Sequence, residues 1–143
     1  MTQFLSLNET ELKQQNAYWT AREITQQPKS WCNTATVIDN KRAEINDFLA
    51  PILALNNLKV VLTGAGTSAY VGEALTPLLT AKTDLDVCAV STTDIVSNPY
   101  GFLQKGTPTL LISYARSGNS PESVAAVDIA EQVVDECYHL VIT

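Results

Sequence analysis

Twice in this chain a short apolar run breaks off at a glycine- and hydroxyl-rich turn, and a helical stretch follows at once. Leu58 to Thr63 runs into Gly64-Ala65-Gly66-Thr67-Ser68-Ala69, and Thr109 to Ser113 runs into Tyr114-Ala115-Arg116-Ser117-Gly118-Asn119-Ser120-Pro121-Glu122-Ser123. Strands separated by helices do not pair as hairpins; they lie side by side as a parallel sheet with helices on both faces. Two more apolar runs, Leu85 to Val90 and Tyr138 to Ile142, with helical stretches from about Ser68 to Thr80 and from Ser120 to Glu136, extend the alternation. The expected fold class is α/β: a three-layer αβα, doubly wound parallel sheet of flavodoxin-like type. Between Asp94 and Pro108 the segment containing Asn98-Pro99-Tyr100-Gly101 reads as a turn-rich connection with room for a short helix.

Upstream the pattern is helical. From Asn8 to Gln27 the chain is polar, with Ala17, Ala21 and Ile24 at helical steps, and Pro28 is expected to close the run. Trp31, Ala35, Ile38, Ile45, Phe48, Leu49 and Ile52 then form an amphipathic stripe that Pro51 should end or kink. Two N-terminal helices are therefore expected before the sheet, dividing the chain into a helical segment, 1–55, and an α/β domain, 56–143. The last apolar run reaches the last residues, so the domain is expected to be truncated at its C-terminus. The uncovered sheet edge favours association, and a homo-oligomer is expected.

Composition narrows the partners. Lys plus Arg number 9 against 15 Asp plus Glu, for a net charge of −6, and no segment gathers the cations into a stripe, which argues against nucleic acid. No apolar stretch approaches the ~20 residues of a membrane helix, and Met1-Thr2-Gln3-Phe4-Leu5 has no basic leader, so no membrane contact is expected. Cys32, Cys88 and Cys137 show neither disulfide nor zinc spacing and are expected to be buried thiols in a reducing, cytoplasmic setting, with no metal.

Glycines in a strand-to-helix turn let backbone N–H groups approach an anion, and the helix N-terminus adds unpaired donors and partial positive charge. Either turn alone could be no more than a tight turn with a helix cap; Pro121 at a first helical position with Ser120 as N-cap is good capping chemistry in itself. Together, at neighbouring strand ends, the turns could supply many donors to one phosphate, with Arg116 as the cation. The first also matches the dinucleotide pattern G-x-G-x-x-A. That reading needs an acid at the end of the second strand, where the chain has Val90-Ser91-Thr92-Thr93; Asp84 and Asp86 stand at its start.

At these residues the chain resembles the sugar isomerase family of phosphosugar-binding domains, whose paired loops read roughly G-x-G-T-S and S-x-S-G-[ED]-[ST]. Gly64 to Ser68 matches the first, and Ala115 to Ser120 the second, with Ala115 in place of a Ser, Arg116 where Gln is frequent and Asn119 in place of an acid. The resemblance implies phosphate contacts from Gly64, Gly66, Thr67, Ser68, Arg116, Ser117, Gly118, Asn119 and Ser120, and implies no cofactor. Thr92 to Pro99 and Ser113 to Ser123 resemble the ketose/aldose isomerase and amino-sugar deaminase branch, which acts on hexose or hexosamine 6-phosphates of the tagatose or galactosamine type. Moving a proton between adjacent sugar carbons needs a base and an acid. None is assigned here: His139 sits in an apolar strand pattern, and Glu73 and Glu122 read as helix-surface residues. A phosphosugar-sensing module of a regulator is the alternative implied by the family, although neither N-terminal helical stretch carries a basic recognition helix.

Overall fold

The computed structural model describes residues 3–143; Met1 and Thr2 of the expected 1–55 segment lie outside the described residues. Two compact units are present, one ending at Phe48 and one spanning Leu49–Thr143.

The first unit opens with an antiparallel pair, β1 (Gln3–Phe4) and β2 (Leu7–Asn8). Leu5 and Ser6 join them with φ of 52° and 67°, the left-handed pair that a two-residue hairpin turn requires. Helix α1 (Glu9–Gln14) starts at a capping box: the Asn8 side chain accepts from the Glu11 N–H at 2.9 Å, and the Asn8 N–H donates to the Glu11 carboxylate at 3.0 Å. Helix α2 (Tyr18–Asn40) and the start of α3 (Arg42–Leu53) follow.

Three N-terminal helices thus stand where two were expected. The first expected run is cut at Asn16, whose φ of 54° takes the chain out of the helix, a conformation that a short polar side chain tolerates. Pro28 does not close the run and lies inside α2. Proline leaves one helical carbonyl without its N–H partner, but every residue from Arg22 to Glu44 is exposed, so water can take its place. Pro51 likewise lies within α3. Cys32 is exposed on α2, and Cys88 and Cys137 are half-buried, which corrects the expectation of three buried thiols. The α2 stretch holding Cys32 buries only Ala21, and Trp31 is 65% exposed.

In the second unit the order is β3 (Lys59–Gly64), a 3-10 turn (Gly66–Ser68), α4 (Ala69–Lys82), β4 (Asp86–Ala89), α5 (Thr92–Ser97), α6 (Pro99–Phe102), β5 (Thr109–Tyr114), α7 (Pro121–Val133) and β6 (Cys137–Ile142). The four strands pair in parallel in the order β4-β3-β5-β6. Alternate residues feed two cores. Val60, Leu62 and Leu110 face Ile52 and Leu58, with Leu75 and Leu79 of α4 beside them. Val61 and Leu111 face Ile95, Leu103, Ala126, Ala130 and Val134 on the other side, where two buried alanines let α7 lie close to the strands. This is the expected α/β arrangement, with helices on both faces of a parallel sheet.

The chain leaves β3 for β4 on one flank and then crosses to β5 on the other, so the winding reverses between β3 and β5. Their C-terminal ends flank the crevice where open parallel sheets hold ligands.

A Cβ at Gly72 would lie 2.9 Å from the Leu62 Cβ and 3.2 Å from its carbonyl oxygen, so α4 rests on β3 at a distance that only glycine permits. Gly72→Val should lower unfolding stability by about 1–3 kcal/mol in a denaturant titration, as overpacked cores do; an unchanged midpoint would contradict this contact. The cysteines give a second prediction. Burial raises the Cys88 thiol above its ordinary value and raises Cys137 to about 11. Only the thiolate reacts, so at pH 8 about one Cys137 in a thousand is competent. Alkylation followed by peptide mass spectrometry should modify exposed Cys32 first and Cys137 only as the pH is raised.

Candidate functional site

Parallel pairing sets Thr63 opposite Ser113 and Gly64 opposite Tyr114, so the turns after β3 and β5 leave the sheet at the same level. The first folds back sharply. A Cβ on Gly64 would meet the Ser68 carbonyl carbon at 2.6 Å and its oxygen at 2.8 Å. The Ser68 N–H donates to the Ala65 carbonyl at 3.1 Å, and α4 starts at Ala69. Ser68 occupies the cap position of α4 but makes no side-chain cap hydrogen bond.

The second turn is built differently. Ser120 is a true N-cap: its Oγ accepts from the Ser123 N–H at 3.3 Å, and its hydroxyl donates to the Ser123 Oγ at 2.8 Å. Pro121 fits the first helical position because its missing N–H would have had no partner there. Ser117 Oγ accepts from the Asn119 N–H at 3.5 Å.

Two adjoining cavities lie where the turns meet. The outer one, about 160 Å³, is lined by Ala65 and Ser68 from the first turn and by Tyr114, Ala115, Arg116, Ser117, Gly118, Ser120 and Ser123 from the second. The inner one, about 60 Å³, is bounded by Gly64, Thr92, Ser113, Val127 and Val141, and shares Tyr114, Ala115, Gly118 and Ser123 with the outer. The Thr92 hydroxyl donates to the Gly64 carbonyl at 3.4 Å and ties the start of α5 to the first turn.

Among the described residues no carboxylate lines either cavity, and Arg116 is the one cation that does. Its guanidinium is permanently charged and carries donors only. Burial holds the Tyr114 phenol above its ordinary value, so near neutral pH it is a neutral hydroxyl. The crevice therefore offers hydroxyls, backbone N–H groups, one cation and the N-terminal ends of α4 and α7, a donor set suited to an anion.

Of the residues expected from the sequence, Ser68, Arg116, Ser117, Gly118 and Ser120 come together around the outer cavity. Gly64 lines only the inner one. Gly66, with φ of 55°, and Thr67 are exposed in the first turn, and Asn119 is exposed in the second; none of the three lines either cavity. Tyr114 and Ser123 line both and were not singled out. The i, i+3 spacing from the Ser120 cap was the available signal for Ser123. His139, Glu73 and Glu122 line neither cavity; His139 lies on β6 with Nε2 3.5 Å from Glu131 of α7. Ser91 caps α5, so the end of β4 offers a hydroxyl where a dinucleotide site would need an acid.

Fold and crevice together define the class: a parallel α/β domain with an anion-suited pocket at its switch point. The comparisons make it particular. The chain is similar to the D-galactosamine-6-phosphate deaminase AgaS, with 53% identity over 125 residues to the Escherichia coli protein and 52% identity over 146 residues to that of Shewanella sp. (strain ANA-3). These matches cover 87% and 97% of the chain, which spans about a third of its curated relatives, 33% and 36%. Among solved structures, a Clostridium novyi NT protein provisionally named a tagatose-6-phosphate ketose/aldose isomerase matches the whole chain and 36% of its own, with a TM-score of 0.95 and 48% identity. The Escherichia coli tagatose-6-phosphate ketose/aldose isomerase matches 87% of the chain and 34% of its own, with a TM-score of 0.85 and 53% identity. No protein-family model matches the chain.

The Gly64 contact is testable. Gly64→Ala should push Ser68 outward, costing about 1–3 kcal/mol of stability and shifting amide resonances around Gly64 to Ala69. An unchanged spectrum and stability would contradict the tight turn.

Proposed function

We propose that this chain is the phosphate-holding domain of an enzyme that isomerises or deaminates hexose or hexosamine 6-phosphates of the tagatose or galactosamine type. The observation that carries the reading is the outer cavity, where Ser68 of one turn meets Arg116, Ser117 and Ser120 of the other with no carboxylate among its lining residues. The named activities of its relatives, a deaminase and a ketose/aldose isomerase, act on sugars that share a terminal phosphate. Gly64, Gly66, Thr67 and Asn119 belong to the proposal as turn backbone, shaping the loops that carry the lining hydroxyls.

Arg116 neutralises one phosphate charge, and the Ser68 and Ser117 hydroxyls donate to its oxygens. The N–H groups at the start of α7 add fixed dipoles. Held in this way, the phosphate anchors one end of the sugar and leaves the carbonyl end to project from the crevice. The cavity supplies binding energy and orientation rather than proton transfer, since no lining residue is a base suited to it. We place that base and its partner acid in parts of the enzyme that approach the carbonyl end from outside this pocket. A cytoplasmic setting and assembly of several copies complete the reading; free thiols at Cys32, Cys88 and Cys137 are in keeping with a reducing compartment.

The test is calorimetric or NMR titration with tagatose 6-phosphate. A hydrogen bond to a charged group contributes about 1.5–3 kcal/mol, so the Ser68→Ala, Ser117→Ala double variant should bind at least about a hundredfold more weakly. Unchanged affinity would remove the phosphate from this crevice.

A further inference from the structure

Helix α2 carries an apolar seam that lies open along most of its length. Ile24, Pro28, Trp31, Ala35 and Ile38 follow one another at steps of four and three, the spacing that keeps side chains on one face of a helix and builds a coiled-coil seam. Ala21 starts the same line and is buried. Beyond it the helix is exposed: Ile24 by 44%, Trp31 by 65% and Ile38 by 50%. A continuous open row of this kind marks an interaction surface, unlike apolar side chains scattered singly.

Two properties of the seam select its occupant. Bulky and small residues alternate along it, since Ile24, Trp31 and Ile38 recur every seven residues with Pro28 and Ala35 between them. Paired in parallel, two such seams would set Trp31 against Trp31 and Ala35 against Ala35, one layer crowded and the next empty. Paired antiparallel, each bulky residue faces a small one, the interdigitation that a packed core needs. The seam is thus complementary to itself. Its flanks also lack repulsion: of Thr25, Gln27, Cys32, Thr34 and Asp39 only Asp39 is charged, and it is paired with Arg42 at 2.6 Å. A chain of net charge −6 therefore meets no like-charge barrier on this face.

We propose that α2 is the surface through which two copies of this chain associate, their seams pairing antiparallel about a two-fold axis, with Trp31 and the isoleucines of one copy seated against Ala35 and Pro28 of the other. The open stretch from Arg22 to Asn40 is only about 28 Å long at ~1.5 Å per residue, so the dimer belongs with small interfaces that dissociate readily. The inference does not rest on the phosphate reading.

Sedimentation equilibrium of the 143-residue chain should show a monomer–dimer equilibrium in the micromolar range. Trp31→Lys, which puts a charge into the seam, should weaken dimerisation by at least about thirtyfold. Val37→Lys, on the same helix but off the seam, should leave it within about threefold. Both sites are exposed, so circular dichroism should show unchanged helix content; if Trp31→Lys fails to fold, Ile38→Lys carries the same test. Spin labels on Cys32, near the middle of the seam, should lie close together across the dimer, whereas labels introduced by Asn40→Cys in a Cys32→Ser background should stand about 20–30 Å apart along the helices. Short separations at both sites would overturn the antiparallel pairing. A chain that stays monomeric at every concentration, leaving the seam to a different occupant, would overturn the proposal, as would a dimer that survives Trp31→Lys. None of these results bears on phosphate binding in the crevice, which the serine variants test separately.

Discussion

The register between β3 and β5 is the constraint on which the crevice depends. Six residue pairs, from Lys59 opposite Thr109 to Gly64 opposite Tyr114, run in parallel without a bulge. Both strands therefore end at one level, and each hands the chain to a helix, α4 on one face of the sheet and α7 on the other. A slip of one residue would offset the turns by ~3.3 Å and turn each side chain toward the opposite face. Two cores resist such a slip: Val60, Leu62 and Leu110 are locked on one face, and Val61 and Leu111 on the other.

The two turns, of similar composition, start their helices in different ways. In the first turn Ser68 reaches the cap position through a 3-10 turn and spends no side-chain hydrogen bond on α4. In the second turn Ser120 stands in the extended conformation of an N-cap, with φ of −69° and ψ of 141°, and its oxygen is used by α7. Backbone geometry at a single residue thus decides whether a serine caps its helix, although both serines border the outer cavity.

How much of this was legible in the sequence follows from the same physics. The strands of a parallel sheet are near-continuous apolar runs, most fully in the central pair β3 and β5, so all four strands could be read to within about two residues of their ends, and with them the positions of both turns. The N-terminal unit could not be read in this way. Nothing in the pattern marks Asn16 as the residue that turns left-handed, and Pro28 weighs less in an exposed helix than its reputation suggests. Within the turns, Ser68, Ser117 and Ser120 could be named from composition and resemblance. Thr67 and Asn119, equally polar, point elsewhere. Lining a cavity depends on side-chain direction, which changes with every residue of a tight turn. Tyr114 and Ser123 were missed for the same reason, since one counts as the end of a strand and the other as part of a helix.

The electrostatics of the crevice run against those of the chain as a whole. With a net charge of −6, long-range attraction toward an anion is weak or unfavourable, and it falls further with salt. On the proposed phosphate reading, binding would come from the residues that line the crevice, one guanidinium and several hydroxyls, with no carboxylate among them to oppose it. Short-range neutral donors read the geometry of an anion more than its charge, because each gains only when an oxygen sits in its direction. On the proposed reading, such a crevice would hold a compact tetrahedral group with several acceptor oxygens and would leave discrimination among sugars to whatever surrounds the carbonyl end.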